Sequence, residues 1–227
     1  MVLFAHPDDA EYMCGGTVAR WTKEGTEVHY VCVTDGSAGS NEPGLTREQI
    51  SAVRKPEQSA AADVLGVRTV TFLDYPDSRL EVSWDVRRDV TREVRRLRPE
   101  VIVAPDPSRL WSGSGYINHW DHRVVGEVAL CAVMPDAPTR PQFPELLDEG
   151  LEPYEVPHLW LSAAEPDTYV DITKTIDTKL AALACHQSQH GEASSPWVRD
   201  RARQFGEEAG VEYAEAFRAF MLVEEEG

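Results

Sequence analysis

Two clusters of residues in this chain have the types and spacing for chemistry. The first is AHPDD, where His6, Asp8 and Asp9 fall within four residues of one another, directly after the apolar run Val2 to Ala5. Adjacent carboxylates repel one another unless a cation or solvent separates them. An imidazole with a carboxylate is half of a zinc site. The second cluster is NHWDH, which places His119 and His122 three positions apart at the expected start of a helix running through Val124, Val125 and Val128. At that spacing both imidazoles share one helical face. His29, His158, His186 and His190 carry no comparable pattern, and His29 falls inside an expected strand.

Such side chains meet only if the fold gathers them at one edge. Short runs rich in Val, Ile or Leu recur at 2–5, 28–34, 67–73 and 101–104, each closed by Asp, Gly or Pro. These read as strands buried on both faces of a parallel sheet. Helices are expected between them, over 17–24, 56–65 and 82–97, with Gly15 and Gly16 making a tight turn into the first. In the third, Arg87, Arg88, Arg92, Arg95 and Arg96 interleave with valines and are expected to form a solvated face. Strand–helix alternation implies an α/β, single-domain, Rossmann-like doubly wound and mostly parallel sheet over residues 1–227. Ligands of such sheets bind beyond the carboxyl ends of the strands, where both clusters fall. No GxGxxG follows the first strand, which argues against a dinucleotide site. The Pro-rich stretch from Pro135 to Pro157 reads as a lid, an oligomer contact or a plain connection, and as the place to look for selectivity.

The 227 residues carry 39 Asp and Glu against 22 Lys and Arg, a formal charge of -17. A polyanion is repelled by such a surface, so nucleic acid and anionic membranes are poor partners. No apolar run reaches the ~20 residues of a membrane span, and no basic stretch with an apolar core opens the chain, so the cytoplasm is the default expectation. The four cysteines, Cys14, Cys32, Cys131 and Cys185, form no CxxC pair and read as free thiols, with Cys14 worth watching for its place beside the first cluster.

AHPDD after the first strand, paired with NHWDH after the fourth, resembles the PIG-L family of de-N-acetylases, also called LmbE-like proteins. VTDGSAG, the Arg54-Lys-Pro-Glu57 helix, LDYPDS, KLAALACHQSQ and YAEAFR are similar to further blocks of that family, in order along nearly the whole chain. The resemblance implies the LmbE-like version of the fold and hydrolysis of an N-acetyl group on a small amino sugar or its conjugate. It implies Zn2+, with Fe2+ or another divalent metal as alternatives, held by His6, Asp9 and His122. Asp8 is then the general base for the attacking water, and His119, as imidazolium, the stabiliser of the oxyanion and an acid that helps to protonate the departing amine. Arg54 and Asp77 match positions that contact substrate; on the residues alone, they read equally as a surface cation and a turn-forming Asp. Two departures stand out. Trp120 occupies the place where the family commonly has Pro, and Ile117 the place where one branch has Tyr, with Tyr116 one position further away. A two-metal phosphoesterase drawing on Asp35 and Asp106, a non-catalytic sugar-binding protein, and a homo-oligomer all stay open at this point.

Overall fold

The computed structural model describes residues 1–163, 165–189 and 195–223. Nine strands and seven helices follow one another as β1 (Val2–Phe4), α1 (Asp9–Lys23), β2 (His29–Thr34), α2 (Arg47–Leu65), β3 (Thr69–Tyr75), α3 (Trp84–Leu97), β4 (Val101–Pro105), the hairpin strands β5 (Trp111–Ser112) and β6 (Tyr116–Ile117), α4 (Trp120–Cys131), α5 (Glu145–Asp148), β7 (His158–Ser162), β8 (Thr168–Asp171), α6 (Ile176–Leu183), α7 (Ser195–Ala209) and β9 (Ala214–Met221). Seven strands make one sheet in the order β3-β2-β1-β4-β7-β9-β8, and β9 alone in it runs opposite to the other six. The chain winds outward from β1 through β2 to β3, then returns to set β4 on the other side of β1. That reversal is the switch point at which open α/β sheets hold their ligands.

Both faces of the central strands are covered, which explains why they read as continuous apolar runs without alternation. Leu3, Val31 and Ile102 pack against Val90 and Val94 of α3 and Val125 and Val128 of α4. Val2, Phe4 and Tyr30 pack on the opposite face against α1, α2 and α6.

Three expectations need correction. α1 begins at Asp9, well before residue 17, and is broken at Cys14, whose φ of -150° is not helical. The break frees backbone N–H groups that Gly16 and Thr17 donate to the buried Glu215 carboxylate at 2.9 and 2.7 Å. Gly16 serves packing and makes no tight turn, since a Cβ there would lie 2.8 Å from Ile172. Arg95 of α3 is 2% exposed and donates to the carbonyls of Asp136, Ala137, Thr139 and Gln142. Together with the bidentate Arg87–Asp136 pair, it pins the stretch after α4 against α3. Pro135 to Pro157 is thus a connection fastened to α3.

Candidate active site at the sheet switch point

The loop leaving β1 delivers the first cluster. Asp8 is the N-cap of α1 and has a φ of 103°, a conformation that L-residues adopt only when their surroundings hold them there. Two side chains of α2 do so. Gln58 accepts the Asp8 N–H at 2.9 Å, and Arg54 donates to the carbonyls of Pro7 at 2.6 Å and Gly36 at 2.8 Å. The Arg54 guanidinium also stands 3.5 Å from the Asp8 carboxylate. Asp9 turns the other way, accepting the His6 N–H at 2.8 Å.

α4 delivers the second cluster. A Cβ on Gly126 would fall 2.6 Å from the Pro105 carbonyl, so the helix lies directly on the end of β4. That placement brings His122 Nε2 to 3.0 Å from Asp9 Oδ1, while His6 Nδ1 lies 3.4 Å from Asp9 Oδ2. Donor atoms of His6, Asp9 and His122 all lie within 4.8 Å of one another.

The remaining nitrogen of each imidazole is anchored. Asn118 Oδ1 lies 2.9 Å from His122 Nδ1, and the carboxylates of Asp77 and Asp121 each lie 3.1 Å from His6 Nε2. A carboxylate or carbonyl on the outer nitrogen fixes a metal-binding histidine's tautomer and aims its other lone pair at the metal. Two imidazoles prepared in this way around one carboxylate fit a divalent cation. The carboxylates facing His6 outweigh its burial and raise its pKa well above the ordinary histidine value. Burial would raise Asp9, yet the charges and hydrogen bonds of His122 and His6 hold it well below the carboxylate range.

The ring of His119 lies 4.6 Å from that of His6 and edge-on to it. As N-cap of α4 it accepts the Asp121 N–H through Nδ1 at 3.2 Å, which leaves Nε2 to carry the proton. Burial, then the neighbouring His6 charge, lowers its pKa.

Asp8, Asp9 and His122 open on a cavity of about 790 Å³ between α1, the end of β4, α7 and β9. Arg54 and Asp77 lie behind the site, 4% and 3% exposed, and are not among the residues lining that cavity. Asp77 accepts the Ala38 N–H and faces His6 Nε2, so its carboxylate is turned towards that imidazole. No residue between Pro135 and Pro157 lines the cavity; Trp197, Arg201 and Phe205 of α7 do, facing Tyr12, Arg109 and Tyr116. Trp120 does not line it either, donating instead to the Leu80 carbonyl at 2.6 Å. In the β5–β6 hairpin Ile117 points out, 78% exposed, whereas Tyr116 turns in and donates to Asn118 at 3.2 Å.

Asp121 is the member that sequence reading passed over. It is fully buried, accepts the Ser78 N–H at 2.7 Å and contacts His6. Its place between the two histidines was the available signal. A second group of potential ligands, His6, His119 and Asp121, shares His6 with the first. Asp35 accepts from the N–H groups of Ser37 and Asp77, and Asp106 from the N–H and hydroxyl of Ser108; neither is among the potential ligands gathered around His6. Cys14 is fully buried, and burial raises its thiol well above the ordinary value, far from a reactive state. His29 bonds Thr69 at 2.8 Å within the sheet, and His190 lies outside the described residues.

A Rossmann-like sheet carrying a His–Asp–His group at its switch point defines an α/β protein with a candidate divalent-metal centre. Residues 1–133 match the family described as GlcNAc-PI de-N-acetylase, PIG-L, and the chain belongs to that family. It is 31% identical over 219 residues to the diacetylchitobiose deacetylase of Thermococcus kodakarensis, covering 94% of this chain and 79% of that one. The structure superposes on N,N'-diacetylchitobiose deacetylase from Pyrococcus horikoshii, complexed with its inhibitor MPG, with a TM-score of 0.89 at 34% identity, covering 97% of this chain and 82% of the other. The 4-oxalmesaconate hydratase of Pseudomonas putida is also similar, 26% identical over 203 residues, with coverage of 83% and 73%. No helix among the described residues is long and apolar enough to cross a membrane.

Proposed function

We propose that this chain removes the N-acetyl group from an amino sugar or amino-sugar conjugate. The observation that carries the reading is the pairing of Asp8, on the cavity wall, with the adjacent His6–Asp9–His122 group. Its similarity to two chitobiose deacetylases supplies the substrate class.

His6 Nδ1, Asp9 and His122 Nε2 would hold the cation, Zn2+ or Fe2+. Bound there, a divalent ion supplies a Lewis acid for the acetamide carbonyl and makes water more acidic. Asp8 takes a proton from the attacking water as the new C–O bond forms. His119 donates from Nε2 to the carbonyl oxygen as that oxygen gains charge. Asp8 then returns its proton to the amide nitrogen as the C–N bond breaks, giving acetate and a free amine. Arg54 and Gln58 keep Asp8 in its left-handed conformation throughout.

The hydratase relative shares the fold and adds water to a different functional group, so the substrate decides between the readings. Acetate release from N-acetylglucosamine, N,N'-diacetylchitobiose and related glycosides, with Asp8→Asn as control, tests the proposal. Release abolished in the variant is expected. Silence across the panel from a metal-loaded protein would overturn it.

A further inference from the structure

α4 packs on the sheet through Val124, Val125, Val128 and Ala129, and Gly126 lets it lie on the end of β4. A helix with one face in the core ordinarily shows charged and polar side chains to water on the other. The outer face of α4 instead carries Trp120, 51% exposed, and Leu130, 38% exposed, with Met134 shortly beyond its end, 69% exposed. Trp120, Arg123, Glu127 and Leu130 follow one another at alternating steps of three and four positions. That spacing gathers them within about 80° of the helix circumference. It is also the spacing of the seam through which two helices pack against each other.

The apolar surface continues beyond the helix. Trp120 is held to the Leu80 carbonyl, and from there the chain runs to Val82 and Trp84, both exposed. Exposed apolar patches of this extent, rimmed by polar groups, mark interaction sites. The charges within the stripe are also left over. Arg87, Arg88 and Arg92 of the neighbouring α3 each pair with an acid, whereas among the described residues Arg123 and Glu127 have no such partner. Arg123 Nε is buried without a hydrogen-bond partner, and its guanidinium lies 5.0 Å from the centre of the Trp120 ring.

The order of these residues says what covers them. Arg123 and Glu127 lie symmetrically about Val125, and so do Trp120 and Leu130. Two antiparallel copies of α4 crossing at that level set every member of the stripe opposite its complement, Trp120 against Leu130 and Arg123 against Glu127. Such self-complementarity is what a two-fold contact between identical chains requires, where residue i meets j and j meets i. A formal charge of -17 on each chain opposes association in general, so a contact between copies needs charges that cancel locally, as these do. α4 is also the helix that presents His122, so the contact would brace the helix that carries a candidate cation ligand.

We propose that the outer face of α4 is a two-fold interface between copies of this chain, in which Arg123 and Glu127 of one copy pair with Glu127 and Arg123 of the other across a seam of Trp120 and Leu130. The test is the mass of the full chain in solution, by sedimentation velocity over a range of concentrations. Wild type is expected at twice the 25.3 kDa of one chain, or at a higher even multiple of it. Arg123→Glu and Glu127→Arg each set like charges opposite one another at two places and should weaken association by about 100-fold or more. Mixed together, the two variants should associate again, because every reversed charge then meets its opposite. The double variant carrying both reversals should pair with itself for the same reason. Recovery on mixing shows in addition that both single variants are folded. A monomeric wild type, an assembly whose mass neither reversal reduces, or single variants that stay apart when mixed would overturn the interface.

Discussion

Gln58 joins the loop after β1 to the interior of the sheet's helical layer: its Oε1 accepts the Asp8 N–H at 2.9 Å and its Nε2 donates to Glu11 at 3.0 Å. Glu11 in turn contacts His186 Nε2 at 3.0 Å, and all three side chains are fully buried. Asp8 is therefore held in its strained conformation by a chain of polar contacts that reaches to the end of α6. Gln58→Leu should lower kcat by about 10- to 100-fold, because a small misplacement of a reacting group costs that much. KM and bound metal should change little, and steady-state kinetics with metal analysis on the same samples checks the split.

His122 depends on Asn118 for its orientation. Asn118→Ala should weaken metal binding by about 10- to 100-fold, the usual effect of removing an outer partner from a ligand histidine. Competition with a chromogenic chelator measures this directly.

Glu215 accepts from Gly16 and Thr17 at the break in α1 and is paired with Lys179, both side chains being almost fully buried. Lys179→Met would leave a buried carboxylate without its counter-charge and should destabilise the fold by about 3–5 kcal/mol. Urea denaturation checks it, and Glu215→Gln, which leaves the buried ammonium unpaired and turns an amide NH2 towards backbone donors, should cost a similar amount.

Asp89 gives a pH signature. Burial would raise it, but hydrogen bonds from Tyr75, Arg92 and Arg88 outweigh that and hold it below the ordinary carboxylate value. A carboxyl depressed in the folded state stabilises above its unfolded pKa of about 4, and the benefit disappears as pH falls through the folded value. Asp89→Asn should thus cost about 1 kcal/mol at neutral pH, as for a partly exposed pair, and the gap should narrow on acidification. Paired denaturation curves at successive pH values test it.

Strands β1 to β4 and the two clusters were legible because β1, β2 and β4, buried in the parallel part of the sheet, leave apolar runs, and because His6, Asp9 and His122 are unusual at such positions. α1 was read too short, since Asp8, Asp9 and Pro7 look like loop residues until Gln58 and Arg54 are seen to hold them. Arg95 carried no sign of burial, because its four carbonyl partners lie in an irregular stretch more than forty positions away. Arg54 and Asp77 were expected to face substrate and instead lie behind Asp8 and His6, a distinction that depends on side-chain direction across elements. The α7 wall of the cavity was invisible for the same reason: nothing in the spacing of Trp197, Arg201 and Phe205 links them to β1 or α4.

The division of labour between two adjacent carboxylates is the centre of this account, and it is tested most directly by metal content and acetate release measured on the same preparations of wild type, Asp8→Asn and Asp9→Asn. Asp8→Asn should keep about one equivalent of metal, as a three-ligand catalytic site does, and lose turnover by about 10²- to 10⁴-fold. Asp9→Asn should lose both. Loss of metal from Asp8→Asn, or full metal content in Asp9→Asn, would contradict the assignment.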